Sequence, residues 1–366
     1  EVDADDAAPG TIAHRTEVGD WRARFPVWSQ RHLRKVTPLS VLIGLSLGLA
    51  AWAAGRVLLT LQGAGGNVAV GQDSTIVTRF VVPALSGTYE WRNLFVDSFR
   101  DGQAQPIAFI VLLLVAKLGS YSVGAFALLG VVLGTARLLA IWGLAATCGM
   151  HLRGRVLLLP FLAAATFSYG HVALYGFDDT SVPLGLALTS FAIGMWVIAR
   201  WPDRLASTTI ATALALAASF SSSIGLWIWP VFTMMLVAFG CRRRAHFAIL
   251  GGGFAATIAG YAWLLTLVGG PVSQRHGATD DMLLLADLMS LPFVGAGGVP
   301  NRLPGVLTML LGISAAVLLV LLARRSVVTF RELAPAIGYG AFGLACLVEV
   351  IVLRGVVSQQ YSYPAM

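Results

Sequence analysis

Apolar residues run for about twenty positions at a stretch, repeatedly, along most of this 366-residue chain. A bilayer core needs a helix of roughly 20 such residues to cross it, and in lipid every backbone polar group must be satisfied within the structure. Continuous runs of this kind predict helices, because a closed barrel shows short alternating strands. Charged residues are 12% of the chain and hydrophobic ones 57%; a soluble domain carries about 25% charged residues. Lipid is therefore the expected solvent, and the sequence reads as an all-α, polytopic integral membrane protein.

The runs predict about nine transmembrane helices: 39–61, 121–150, 156–176, 183–200, 206–221, 224–240, 246–268, 305–323 and 334–354. A polar segment, 1–37, precedes a membrane domain over 38–356, and a tail, 357–366, follows it. The chain opens at Glu1 and stops at Met366, and it is read as open to being a fragment.

Net charge is +7, and its placement sets the expected orientation. Arg22, Arg24, Arg31, Arg34 and Lys35 precede the first run. Basic residues recur in His151–Arg155, Arg200–Arg204, Cys241–His246 and Arg324–Arg331, while Phe177–Ser181, Ser219–Ser223 and Gly269–Pro304 are neutral or acidic. Cytoplasmic loops carry the Lys/Arg excess, so the N-terminus is expected in the cytoplasm of a bacterial inner membrane and the tail outside. Lys/Arg-aromatic interleaving of a nucleic-acid surface is missing. Cys148, Cys241 and Cys346 lack metal-like spacing and read as core packing. No internal repeat is evident, which argues against the repeat-built transporters.

The first outer loop, 62–105, is the one place where acidic, basic and aromatic groups gather. Trp91, Leu94, Phe95 and Phe99 share one face of a helix expected to lie in the interface. Residues 75–84 form a second such piece, ended by Ser86-Gly87. Pro106–Leu118 is apolar but only about 20 Å long as a helix, short for a crossing. Pro106 fits a first helical position, so a re-entrant or interfacial half-helix is expected.

Several residues have the chemistry for a site, each with a plainer alternative. Asp73, among glycines, has the position for a general base toward an acceptor hydroxyl, or for a solvated acid or helix cap. Asp178 and Asp179 are adjacent, suited to a divalent cation or to a helix N-cap. His171, between Tyr169 and Tyr175, suits a phosphate donor or an interfacial packing group. Arg137 and Glu349 fall inside spans, where an unpaired charge costs several kcal/mol; they are functional candidates or a structural pair. Arg56 and Arg354 near the outer surface suit an anionic lipid head or simple snorkelling. Ser219–Gly225 reads as a tight outer turn, and Gly251–Gly253 as close helix packing.

One early span, a long outer loop with an acid and interfacial helices, then many spans: this layout, with Asp73–Leu118 and Ala217–Pro230, resembles the GT-C class of polyprenyl-phosphate-sugar glycosyltransferases. The resemblance implies a lipid-linked sugar donor and an acceptor in the lipid or cell envelope, with transfer at the outer face. It implies that Asp73 matches the first-loop base, that Asp178 or Asp179 falls near the second acidic site, and that Arg354, or Arg79, holds the donor phosphate. The chain departs from the class in lacking an Asp-X-Asp or Asp-Glu pair in the first loop, and in carrying Gln360-Tyr361 where an Arg-Tyr pair is common. A non-catalytic membrane subunit, or a transporter using Arg137 and Glu349, are the rival readings.

Overall fold

A computed structural model of the protein describes residues 38–63, 76–100, 103–119, 122–167, 178–268 and 329–360. The chain divides into two compact units, Glu1–Leu45 and Ser46–Met366. The described part of the first is Pro38–Leu45, the opening of helix α1 (Pro38–Gly63). In the second, a π-helical turn (Val77–Val81) runs into α2 (Val82–Ser86), and a 3-10 turn (Trp91–Asn93) into α3 (Leu94–Asp97). Strands β1 (Phe99–Arg100) and β2 (Gln103–Ala104) form a two-residue antiparallel ladder. The helices that follow are α4 (Pro106–Leu118), α5 (Val123–Thr147), α6 (Leu152–Thr166), α7 (Asp178–Arg200) and α8 (Leu205–Ser219). A 3-10 segment (Ser223–Trp227) leads into α9 (Ile228–Ala238), followed by α10 (Arg244–Val268) and α11 (Phe330–Gln360).

Among the described residues, four stretches are long and apolar enough to cross a membrane: Pro38–Leu59, Gly124–Thr147, Val182–Arg200 and Arg244–Leu264. The architecture is that of a helical membrane protein. Helix α8 has 15 residues, roughly 22 Å, short of a bilayer core of about 30 Å. The expected span 334–354 falls within α11; the expected span 305–323 lies outside the described residues.

Helix α7 is the centre. It packs against α4, α5, α8 and α9, and 67% of its apolar window is buried, against 17% for that of α1. Association between helices in lipid is driven by packing, so small residues let backbones approach. Gly194 of α7 accommodates the Phe232 ring, Ala187 and Ala192 are fully buried, and Thr189 donates to Leu133 O at 3.0 Å. An aromatic stack of Phe191, Phe342 and Phe232 fills the level below, with Tyr339 edge-on to Phe191.

Contacts sort the connections to two ends. At one end the Cys241 thiol donates to Pro202 O at 2.8 Å, the Arg331 guanidinium lies 5.1 Å from the Phe239 ring centroid, and Cys148 feels the Glu332 carboxylate. Connections 148–151, 201–204 and 239–243 and the start of α11 therefore meet, and these are the basic ones. At the other end Phe95 packs on Trp263, Val182 joins Ile76, Phe80 and Phe109, and the Ile107 N–H donates to Phe220 O at 3.1 Å. Among the described connections, the basic ones therefore share one end.

Three local expectations change. The helix expected through Phe99 ends at Asp97, and Phe99 pairs with Ala104 instead. The sequence between the strands is Asp101-Gly102, the favoured two-residue hairpin connection, and Gln105 N–H extends the ladder to Ser98 O at 3.0 Å. Helix α6 starts at Leu152, because His151 takes an extended conformation (φ −61°, ψ 152°) that begins a helix there, and Arg153 and Arg155 enter its first turns. Of Gly251–Gly253, only Gly253 packs closely, against Thr212 and Trp229; the other two face open space.

Candidate functional site

The end opposite the basic connections carries the first candidate site. Ile76, Phe80 and Val81 bury one face of the π turn against Phe109 and Leu112 of α4, and the partly buried Ala84 of α2 packs beside them. Pro106 enters α4 in its first turn, where its missing N–H costs nothing. Gly87, with φ +77°, closes α2 in a left-handed conformation that suits glycine. This scaffold holds Tyr89, whose ring stands edge-on to Phe80 and Trp91. Its hydroxyl donates to Asp97 Oδ2 at 2.8 Å. Burial, and then the Asp97 carboxylate, raise the Tyr89 phenol well above its ordinary value near 10.

The raised phenol has a measurable consequence. A group whose folded pKa lies above its unfolded one contributes stability that is complete below the unfolded value and is lost as pH rises through the folded value. Tyr89 therefore stays neutral through pH about 11 while an ordinary tyrosine ionises. We expect the phenolate absorbance of wild type and Tyr89→Phe to rise equally between pH about 9 and 11; a larger rise in wild type sinks this assignment.

Under this surface lies the serine-rich turn between α8 and α9. Expected as a tight turn explained by packing and turn formation, it is buried: Ser219, Ser221, Ser222 and Ser223 are all at most 5% exposed. The Trp229 indole N–H donates to Ser219 Oγ at 3.0 Å, the Tyr261 hydroxyl to Ser219 O at 2.7 Å, and Ser221 Oγ to Ala217 O at 2.6 Å. Buried hydroxyls satisfied in this way hold a fixed geometry rather than await a ligand. Gly225 sits against the backbone of Ala218 and Ser219.

A second polar place lies within the bundle. Arg137 is half-buried on α5, and its charge acts on the Tyr339 hydroxyl of α11, a buried group with no hydrogen-bond partner. Arg137 lies ten residues before Thr147 and Tyr339 nine after Phe330. Both are therefore roughly 14–15 Å from the basic end, at mid-depth.

The sequence-derived candidates are placed as follows. Asp73 and His171 lie outside the described residues. Asp178 and Asp179 open the backbone of α7, and Glu349 and Arg354 lie on α11; their side chains are outside the described set. Arg79 is exposed on the π turn. Arg56 is exposed on α1, its guanidinium 5.8 Å from the Trp52 ring centroid. Among the described residues no three His, Cys, Asp or Glu side chains gather as a metal site would need. The Tyr89–Asp97 bond is the contact that sequence reading missed. Asp97 counts there as one more charge on an interfacial face, and the eight-residue spacing carries no periodic signal.

No family model matches the chain, and no curated protein or solved structure matches it either.

Proposed function

We propose that this protein transfers a sugar from a polyprenyl-phosphate donor to a lipid or cell-envelope acceptor at the outer face of a bacterial inner membrane. In this reading the chain makes about nine crossings, with the N-terminus in the cytoplasm and the basic connections facing it. The observation that supports it is a shared end. Ile76, three residues after Asp73, is buried beside Val182, four residues after Asp178. Residue 354 lies 24 positions along α11 from Phe330, roughly 36 Å from the basic end. The described elements that follow Asp73 and that carry Asp178, Arg79 and residue 354 thus open on the side away from the basic connections.

The chemistry is one displacement. Asp73 takes the proton of the acceptor hydroxyl, the freed oxygen attacks the anomeric carbon, and the bond from that carbon to the phosphate oxygen breaks. The electron pair leaves with the polyprenyl phosphate, whose charge Arg79 or Arg354 holds. In this reading His171 donates to the same phosphate. Asp178 and Asp179 would suit a divalent cation beside the donor phosphate, since such an ion takes one or two carboxylates together with phosphate oxygens.

The test is transfer of radiolabelled sugar from polyprenyl-phosphate donors in membranes holding wild type or Asp73→Asn at equal expression. Loss of the base predicts a fall of roughly 10²–10⁴-fold. Undiminished transfer removes Asp73 from the mechanism, and no transfer with any donor moves the reading to a non-catalytic subunit or a transporter. The second of these has one observation of its own, the Arg137 charge at mid-depth beside an unpartnered Tyr339 hydroxyl. It predicts that Arg137→Gln abolishes flux while Asp73→Asn leaves it intact.

A further inference from the structure

At the end opposite the basic connections, a carboxylate stands half-buried with no cation against it. Asp97 closes α3 and is neither fully buried nor fully exposed. Its Oδ2 accepts from the Tyr89 hydroxyl at 2.8 Å, while an ionised carboxylate has about four lone-pair sites. Arg92, the basic residue of the turn before α3, pairs with Glu90 at 2.6 Å, and among the described residues no Lys or Arg pairs with Asp97. Burying a charge is costly unless hydrogen-bond donors replace its water. The acceptor positions that Tyr89 leaves open therefore suit a ligand that brings donors.

Aromatic rings frame the same carboxylate. The Tyr89 ring that presents the hydroxyl meets Trp91 edge-on at 5.5 Å and Phe80 edge-on at 5.0 Å. Phe80 is 1% exposed and anchors Tyr89 to the core, whereas Trp91 is 54% exposed. Trp91 and Asp97 are thus joined through one side chain, the first at its ring and the second at its hydroxyl. A membrane interface by itself selects exposed tryptophan. It does not select a carboxylate beside it, because a lipid phosphate repels that charge. The ligand that fits both groups is a neutral sugar ring. Its hydroxyls donate to a carboxylate, which only accepts, and its C–H face lies on the negative face of an aromatic ring. The carboxylate repels the phosphate of a polyprenyl-phosphate donor, so the sugar belongs to the acceptor. Ile76, three residues after Asp73, is buried in one cluster with Phe80 and Leu94, so this place adjoins the segment that carries the proposed base.

We infer that Asp97, Tyr89 and Trp91 form a subsite for a sugar ring of the transfer acceptor. Hydroxyls of the ring donate to Asp97, Tyr89 holds that carboxylate in position, and Trp91 covers the C–H face of the ring. The inference rests on the transfer reading and narrows it: the accepting hydroxyl is that of a glycan or glycolipid rather than of a plain lipid alcohol.

The test uses the purified full chain in a neutral detergent without a sugar headgroup, with saturation-transfer NMR of the methyl glycosides of glucose, galactose, mannose and arabinose. Ring protons of at least one glycoside are expected to show saturation. Removing one charge-assisted contact predicts roughly tenfold weaker apparent affinity in Asp97→Asn, and Trp91→Ala should fall as well. Tyr89→Phe keeps the packed ring without the bond that positions Asp97 and should fall between, which keeps the test decisive if another variant does not fold. Trp263 is exposed at the same end but packs on Phe95, so Trp263→Leu should bind as wild type. Equal loss in Trp263→Leu means a general aromatic surface and overturns the site. Unchanged binding in Asp97→Asn, or ethanolamine bound in place of the glycosides, overturns it too, and no sugar signal in wild type removes the proposal. Radiolabelled transfer by the same preparations separates the two readings. Sugar binding without transfer from any donor supports a sugar site and overturns the transfer reading, whereas transfer without sugar binding removes the subsite alone.

Discussion

Gly225→Val is expected to leave no folded protein. An added Cβ at residue 225 falls inside the van der Waals envelope of the Ala218 carbonyl group and the Ser219 nitrogen. These are backbone atoms, so no side-chain rotation relieves the overlap. They belong to the end of α8, which Trp229 and Tyr261 hold through Ser219. Ser219 and Ser221 are fully buried, so the turn has nowhere to move without unmaking satisfied hydrogen bonds. Overpacking typically costs about 1–3 kcal/mol where side chains can yield. Here the neighbour is backbone, and about 3 kcal/mol or more is a large part of a total of 5–15 kcal/mol. The check is the yield of monodisperse protein after extraction, with Gly251→Ala as control. Gly251 faces open space in the interior of α10, where alanine is the better helix former. Wild-type behaviour of Gly225→Val would show that the turn is not packed as described.

Phe191→Ala should be the most destabilising truncation in the interior. Phe191 is 1% exposed and lies where α7, α9 and α11 meet. Its ring stacks on Phe342 with centroids 4.0 Å apart, faces Phe232 at 6.2 Å, and takes Tyr339 edge-on at 4.9 Å. Removing it opens a cavity that three rigid rings cannot close, at a cost of about 3–5 kcal/mol. Phe161→Ala deletes the same group from a position 73% exposed, where lipid fills the gap, so it should lie near wild type. Unfolding midpoints in a mild detergent series would compare them. Equal loss at both positions would mean that hydrophobicity alone, rather than packing, holds the bundle.

The contrast between Phe191 and Phe161 shows how far the sequence could be read. Both are phenylalanines inside apolar runs, and hydropathy scores them alike. In water, burial and hydrophobicity go together. In lipid an apolar side chain is satisfied on either side, so period and composition do not say which face meets protein. That is why the central place of α7 was not legible, although its length was. The start of α4 at Pro106 was legible, since proline is favoured in the first turn of a helix, although Pro160 stands inside α6. The end of α2 near Gly87 was legible for a similar reason, a left-handed residue that glycine tolerates.

The candidate site was legible only as residue types. Asp97 and Tyr89 meet because the π turn, α2 and α3 fold back on α4, and nothing local in eight residues announces that pair. The serine turn was legible as a tight turn, but the partners of its hydroxyls were not, for the same reason. Polar residues between two apolar runs look like a loop, and only the tertiary partners show why they tolerate burial: the Trp229 indole at the Ser219 hydroxyl, the Ala217 carbonyl at the Ser221 hydroxyl and the Tyr261 hydroxyl at the Ser219 carbonyl.

For the described residues, the sequence by itself determined that the chain is helical, roughly where its apolar helices run, and that the basic connections after α5, α7 and α9 belong together. These follow from local quantities: the length of an apolar run against the thickness of a bilayer, and the sign of the charge between runs. Tertiary structure alone decided which apolar faces meet protein, which hydroxyls are buried, and which charges find a ring or a carboxylate. Those outcomes depend on atoms brought together from residues far apart in the chain, as Trp229 and Tyr261 are brought to Ser219, and composition carries no record of that distance.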